Sequence, residues 1–281
     1  MRDFRAALDK WLPSRLLRGS ALFQLAGWPM ALWENPAPPF LTEALILNHV
    51  VITAAGLWPQ SPWLGLNLSR LPETQANRGE IALTFDDGPD PEVTPRVLDL
   101  LDQRGATASF FCIGERARRH SGLVREICAR GHRVENHSHR HAWNFALRGP
   151  AGIREELRRA QDVLAELTDR TPVFFRAPFG IRNPWVQPLV QEFNLSLVSW
   201  SRRGYDSVLG NPAVVGLLLL RGLRAGDILL MHDGSPARER QGKPVVLEVL
   251  PKVLDEVDRR RLSARFLGDT ASAEPIGADS D

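Results

Sequence analysis

The sequence predicts a parallel α/β fold, a deformed (β/α) barrel of about seven strands, preceded by an apolar helical segment. Three observations predict it. Short β-rich runs recur from Glu80 onward, each followed by a helical pattern, and polar or ionisable residues gather just after those runs. The residues before that point have a different texture, apolar and rich in tryptophan. The expected division is residues 1–78 as a helical N-terminal region, 79–268 as the barrel domain and 269–281 as a disordered tail.

The chain of 281 residues balances 35 Lys+Arg against 33 Asp+Glu, and 43% of it is hydrophobic, an ordinary globular composition. A net charge of +2 leaves no broad basic surface to neutralise a phosphate backbone, so nucleic acid is not an expected partner. Cys112 and Cys128 have neither C-x-x-C nor zinc-knuckle spacing and read as small apolar residues.

Five of the eight tryptophans, Trp11, Trp28, Trp33, Trp58 and Trp63, precede residue 64. They border two apolar stretches, Gly19 to Trp33 and Phe40 to Trp58, separated by the Pro-rich turn Asn35-Pro36-Ala37-Pro38-Pro39. Both stretches fall short of a clean span of about 20 apolar residues, and the second carries Glu43, Asn48 and His49. Tryptophan at the ends of apolar segments suits a membrane interface, and Arg2, Arg5, Lys10, Arg15 and Arg18 would hold the N-terminus inside. Two readings stay open: helices packed on the main domain, or a hairpin that meets a membrane through residues 18–58. No cleavable signal peptide is evident, because Pro29 interrupts the first run and no small-residue site follows it. The expected location is the cytoplasm or the cytoplasmic face of the membrane.

The candidate strands, in order, are Ile81 to Phe85, Ala108 to Ile113, Arg133 to Asn136, Val173 to Arg176, Ser196 to Trp200, Asp227 to Met231 and Ala264 to Leu267. Between them lie helical patterns such as Gly152 to Thr168, where Ile153, Leu157, Ala160, Leu164 and Leu167 step by three and four along one face. Pro251 predicts that the last helix starts or kinks there. The small, acidic residues from Thr270 on predict disorder.

In a β/α barrel the chemistry sits at the carboxyl ends of the strands. After the first run stands Thr84-Phe85-Asp86-Asp87-Gly88-Pro89, after the third His137-Ser138-His139-Arg140-His141, after the fourth Arg176-Ala177-Pro178-Phe179-Gly180, and after the sixth His232-Asp233. One carboxylate and two imidazoles three residues apart can hold a divalent transition metal with positions left for water and substrate. A second carboxylate beside the ligand could take a proton from the attacking water. Adjacent strand residues point opposite ways, so Asp86 and Asp87 can share one site only if the strand breaks there, as Gly88-Pro89 suggests.

These residues resemble the polysaccharide deacetylases, carbohydrate esterase family 4, whose NodB homology domain is a deformed β/α barrel. The resemblance covers about residues 79–268. The motif T-F-D-D-G-P stands as Thr84 to Pro89, H-S/T-x-x-H as His137 to His141, R-x-P-x-G as Arg176 to Gly180, and the Leu two residues before a catalytic His as Leu230 and His232. The resemblance implies that Asp86 is the general base and that Asp87, His137 and His141 hold one divalent metal, with zinc expected. It also implies that Arg176 pairs with Asp86 and aims it, that the Phe179 N–H helps stabilise the oxyanion, that His232 protonates the departing amine, and that Leu230 lines the acetyl pocket.

The fourth motif departs from the pattern W-D-x-D-S-x-D-W, reading Trp200-Ser201-Arg202-Arg203-Gly204-Tyr205-Asp206-Ser207. Asp206 keeps the carboxylate that orients the catalytic His and raises its pKa. Trp200 keeps the opening aromatic, while the closing one becomes Ser207. Arg202 and Arg203 add charge at the expected mouth, suiting a substrate with phosphate or carboxylate; the alternative is a solvated basic loop. His139 has no role in the resemblance and is not expected to be a ligand. The implied activity is metal-dependent hydrolysis of an N-acetyl group on an amino sugar of a glycan or glycoconjugate, anionic or lipid-linked. An O-acetyl esterase, a deformylase on a lipid-linked sugar, and a glycan-binding barrel without turnover remain alternatives. Retention of Asp86, Arg176 and His232 argues against the last.

Overall fold

The computed structural model describes residues 14–33 and 38–268. The expected disordered tail, the basic residues Arg2, Arg5 and Lys10, and most of the Pro-rich turn lie outside the described residues.

The fold is the α/β deformed barrel that the alternation predicts, with an apolar helical segment ahead of it. Eight strands form one sheet: β1 (Glu80–Asp86), β2 (Ser109–Cys112), β3 (Arg133–Asn136), β4 (Phe174–Phe175), β5 (Ser196–Leu197), β6 (Arg202–Arg203), β7 (Ile228–His232) and β8 (Ser263–Arg265). Their order is β5-β4-β3-β2-β1-β7-β6, with β8 alongside β1. The ladders of β1 with β2, β7 and β8, of β3 with β4, of β4 with β5 and of β6 with β7 are all parallel. Each of the seven predicted runs holds a strand. The eighth, Arg202–Arg203, carries no β-rich signal; its pairing with Leu229 and Leu230 is imposed by the neighbouring strand rather than by propensity.

The chain forms two compact units. One comprises the chain up to Ser69 with Ile113–Arg118 and Glu135–Ser199. Its core includes Phe145, Ile153, Leu157, Phe175, Val186 and Leu197. Helix α7 (Pro150–Thr168) buries Ile153, Leu157, Ala160 and Leu164 of the predicted stripe, beginning two residues earlier because Pro150 suits a first helical position. At the start of β4 the buried Glu135 carboxylate accepts the N–H groups of Val173 and Phe174 at 2.9 and 2.8 Å. Burial, opposed by those two donors, pushes its pKa up to about 8.

The same unit contains the apolar helices α1 (Arg15–Trp33) and α2 (Pro39–Leu57). Each is a continuous helix of 19 residues, and α2 is long and apolar enough to cross a membrane by length and composition. That differs, for the second run only, from the expectation that both fall short of a span. The helix absorbs the polar residues that break the run: Asn48 donates to Ser20 Oγ at 2.8 Å, and Gln24 Nε2 and His49 Nδ1 lie 3.2 Å apart.

The other unit comprises Arg70–Cys112, Arg119–Val134 and the chain from Trp200 on. Every residue of β1 is buried, as expected of a central parallel strand covered on both faces. Phe85 stacks on Phe110 with ring centroids 5.1 Å apart. The last helix, α10 (Val245–Arg259), begins six residues before Pro251 and runs through it, so the helix does not start at that proline. Its apolar face explains the difference, since Val245, Val246, Leu247, Val249, Leu250, Val253, Leu254 and Val257 are all buried. Their combined burial outweighs the roughly 3 kcal/mol that an internal proline costs.

Asp227, at the foot of β7, is fully buried and accepts from Arg70 at 2.6 Å, Ser201 Oγ at 2.7 Å, Arg202 Nε at 3.1 Å and the Arg224 N–H at 2.9 Å. Within the first unit, Leu68 forms a parallel bridge with Val198. Residues ahead of position 79 therefore contribute to the sheet's hydrogen bonding.

Candidate active site

Strand β1 ends at Asp86, and Asp87 takes φ 70°, so the backbone turns between the two carboxylates as the shared-site argument requires. Left-handed backbone at a non-glycine residue is held only where its surroundings enforce it, and such positions cluster at functional sites. A cis peptide joins Gly88 to Pro89. Gly88 has no room for a side chain: a Cβ there would stand 2.2 Å from Asp233 Oδ2. Thr94 holds Asp233 from the other side, its Oγ donating to the same oxygen at 2.6 Å. Asp233 is fully buried, and that burial, eased by the Thr94 hydrogen bond, raises its carboxyl to about 7.

Strand β7 delivers His232 opposite Asp86 in the ladder. Leu230 lies two residues earlier, so it shares a face with His232. The imidazole is buried, with Nδ1 2.9 Å from Asp206 Oδ1, while the His232 backbone N–H donates to Asp206 Oδ2 at 2.7 Å. Burial alone would lower this imidazole's pKa. The charge and hydrogen bond of Asp206, supported by Asp86 and Asp87, overcome it and raise the value to about 9.

In the other unit, the loop after β3 is fixed from beneath. Asn136 anchors it, its side-chain oxygen accepting the Ser138 N–H at 2.9 Å and its amide donating to Gln161 at 2.8 Å. Glu156 Oε2 accepts the N–H groups of His139 and Arg140 at 3.1 and 2.9 Å, and Ser138 Oγ accepts that of His141 at 3.0 Å. Ser138 and His141 both have positive φ, 63° and 53°. The buried His139 ring lies against Gly114, where a Cβ would come within 2.6 Å of its Nδ1. His139 is thus a packing residue, and burial lowers its pKa.

His137 Nδ1 lies 2.8 Å from the carbonyl oxygen of Arg176. A ligating histidine commonly fixes its ring by donating its second nitrogen to a carbonyl, leaving Nε2 for the metal. Asp87, His137 and His141 each offer one ligand atom, and these atoms lie within 4.8 Å of one another. Two imidazole nitrogens and a carboxylate oxygen form a donor set suited to a borderline divalent ion, zinc foremost. The residues fit the metal that the sequence implies.

Arg176 is buried, and its guanidinium donates to the backbone oxygens of Val198 at 3.4 Å and Ser199 at 3.0 Å. Phe179 adopts φ 59° in a short 3₁₀ turn, Pro178–Gly180, and its ring centroid is 4.7 Å from that of His141.

The fourth-motif arginines separate. Arg202 extends to Asp227 and to the carbonyl oxygens of Arg221 and Gly222. Its guanidinium is engaged at the foot of β7, the opposite end of that strand from His232. Arg203 lies over the rings of Trp200 and Tyr205, at 5.2 and 4.7 Å from their centroids.

A family model described as Polysaccharide deacetylase matches residues 73–198. A peptidoglycan-N-acetylglucosamine deacetylase of Bacillus cereus is 33% identical over 195 residues, covering 67% of this chain and 86% of its own. The chain belongs to the polysaccharide deacetylase family. A chitooligosaccharide deacetylase of Azorhizobium caulinodans is 33% identical over 195 residues, with 66% of this chain and 90% of its own covered. In structure, the Bc1960 peptidoglycan N-acetylglucosamine deacetylase aligns with a TM-score of 0.64 at 28% identity, over 72% of this chain and 90% of that one. The enzyme is accordingly a polysaccharide deacetylase-like hydrolase.

Sequence reasoning missed Glu156 and Thr94, and it placed Asp233 at a strand end without a role; all three shape this deacetylase site. Glu156 had a readable signal, an acidic residue three positions after Ile153 and therefore on the apolar stripe of α7. Thr94 and Asp233 had none, because each gains its meaning from a partner 139 positions away.

Proposed function

We propose that this enzyme hydrolyses the N-acetyl amide of an amino sugar in a glycan or glycoconjugate, with one divalent metal held by Asp87, His137 and His141. The observation that carries the reading is the convergence of those three ligand atoms on residues whose backbone and ring orientation are fixed independently of any metal. When bound, the divalent ion supplies a Lewis acid for the carbonyl oxygen and makes water a stronger nucleophile at neutral pH.

Asp86 then acts as the base that takes a proton from the attacking water, with Arg176 aiming the carboxylate. The Phe179 N–H stabilises the oxyanion; its left-handed backbone supports that role by turning the peptide out of the strand direction. His232 gives a proton to the departing nitrogen, and Asp206 keeps the imidazole oriented and protonated for that step. Leu230 and Trp200 supply apolar wall for the acetyl methyl. Water and amide become acetate and free amine.

Both named relatives are N-acetylglucosamine or chitooligosaccharide deacetylases, so N-acetylglucosamine oligomers are the first substrates to assay. Acetate release should require added divalent metal after chelation and return with zinc. Release that survives complete chelation, with metal absent by elemental analysis, would overturn the reading.

A further inference from the structure

Helices α1 and α2 are built inside out for water. Leu25, Leu32 and Trp33 on α1, and Phe40, Leu47 and Val50 on α2, are each more than half exposed. On α1 the exposed apolar positions spread around more than half of the helix, a surface that one docked partner face cannot cover. Small groups and interhelical hydrogen bonds mark the contact, where Ser20 and Gly27 are buried, while Glu43 and His49 stay exposed. Asn48 bonds to Ser20, Gln24 meets His49, and Gly27 admits Leu45 so closely that a Cβ would stand 2.9 Å from it. Small residues and interhelical hydrogen bonds at the contact, with apolar side chains outside, are how helices associate in lipid. At 19 residues and about 1.5 Å rise per residue, α2 is about 28 Å long, close to the roughly 30 Å hydrocarbon core.

The open end of this hairpin is fixed to the loops that bear the site. Ser14 Oγ donates to the Trp63 carbonyl oxygen, so the start of α1 and the exit from α2 lie together. The Arg182 N–H donates to the Gly56 oxygen at 3.1 Å, and its buried guanidinium donates to the Ser61 oxygen. The next residue, Asn183, donates to the oxygens of Ala146 and Arg148, each at 2.9 Å. One hydrogen-bonded network therefore joins the hairpin base to the loops after β3 and β4, which carry His141 and Phe179. Trp58, Trp63, Leu147 and Trp185 are exposed along it, with Trp143 nearby in sequence. Tryptophans at the end of an apolar hairpin match the polar–apolar boundary of a bilayer. Arg15 and Arg18 begin α1 at this end, with Arg2, Arg5 and Lys10 ahead of them in the sequence, whereas residues 34–37, between the two helices in the sequence, include no Lys or Arg. That bias assigns the open end to the cytoplasmic, anionic face.

We propose that α1 and α2 form a hairpin within a lipid bilayer, that the loops after β3 and β4 rest on its cytoplasmic surface through these aromatic and aliphatic residues, and that the substrate is an amino sugar carried on a lipid. The substrate clause rests on the deacetylase reading; the bilayer clause does not.

The test uses the full-length protein with vesicles of phosphatidylethanolamine and phosphatidylglycerol. It should float with them and resist alkaline carbonate extraction. Deacetylation is then compared on two probes: a long-chain alkyl phosphate of N-acetylglucosamine in the vesicles, and a soluble N-acetyl chito-oligosaccharide. The vesicle-borne probe should be favoured in kcat/KM by about ten-fold or more. The triple variant Trp143→Ser, Leu147→Ser, Trp185→Ser should lose about ten-fold on that probe, the worth of a partly buried apolar contact, while its rate on the soluble probe stays within about two-fold. A protein that remains in the vesicle-free fraction, or hides the hairpin in a water-soluble oligomer, overturns the bilayer clause. Equal kcat/KM on both probes overturns the lipid-carried substrate and leaves deacetylation standing. Acetate from neither probe overturns the deacetylase reading, and flotation still decides the hairpin.

Discussion

Replacing Asp206 with Asn gives the sharpest test of the acid step. In the folded protein His232 has a pKa of about 9 against an ordinary 6.5, with burial opposing the rise and Asp206 the main cause of it. The substitution removes the largest raising cause and leaves the burial, with only the charges of Asp86 and Asp87 opposing it, so the pKa should fall toward the ordinary 6.5. At pH 8 an imidazole of pKa about 9 is roughly 90% protonated, and one of pKa about 6.5 roughly 3%. Loss of the acid form alone then lowers turnover about 30-fold at pH 8, but by less than two-fold at pH 6. A bound divalent cation repels the imidazolium and lowers both values, so the pH at which the two proteins diverge moves down by the same amount. The assay is acetate release from an N-acetylglucosamine oligomer across pH 5 to 10, wild type beside Asp206→Asn. The alkaline limb should move to lower pH in the variant. Limbs at the same pH, with a uniform loss of rate, would show that Asp206 only supports the fold and would refute the acid–carboxylate coupling.

Other expectations concern the metal, the base, the mouth and the fold. His141→Ala should lose bound zinc and turnover together; a full equivalent of tightly held metal in that variant would break the ligand set. Asp86→Asn should retain metal and lose about 10² to 10⁴ in kcat, and near-normal acetate release would remove it from the base role. Arg203→Glu should weaken a phosphate-bearing glycoconjugate far more than a neutral chito-oligosaccharide, and more at low salt; equal losses would return Arg203 to a purely stacking role. Glu135 has a folded-state pKa of about 8, above its ordinary 4.5. Its stabilising contribution is fully present below 4.5 and is lost as pH rises through about 8. Tm should therefore fall between pH 6 and 9 in wild type more steeply than in Glu135→Gln, and parallel curves would count against that linkage.

The strands and their terminal motifs were legible because both are local signals. Ile81 to Phe85 reads as a buried strand by composition, and Asp86-Asp87-Gly88-Pro89 reads as its break. His137 and His141 were legible by spacing, since the intervening turn is short. What the sequence hid depends on distant partners. Arg202 and Arg203 look equivalent as neighbours, yet β6 sends one to Asp227 and lays the other over Trp200 and Tyr205. Pro251 reads as a boundary until the apolar face on both sides of it is counted as one surface. Asn48 and His49 read as interruptions because their partners, Ser20 and Gln24, come from another helix.

The cluster around Asp227 bears on how this enzyme could be rebuilt. Arg70 precedes the first strand of the sheet by ten positions, yet it meets the same buried carboxylate as Arg202. Deleting everything before Gly79 would remove one of two cations from an anion that has no access to solvent. A graft that joins a foreign membrane anchor to this catalytic body should therefore be cut ahead of Gly56, leaving the Gly56 and Ser61 contacts of Arg182, the Leu68 bridge and the Arg70 contact on the side of the enzyme. The segment from Gly56 to Arg78 is thus held by the residues that bear the site and the sheet, whatever precedes it.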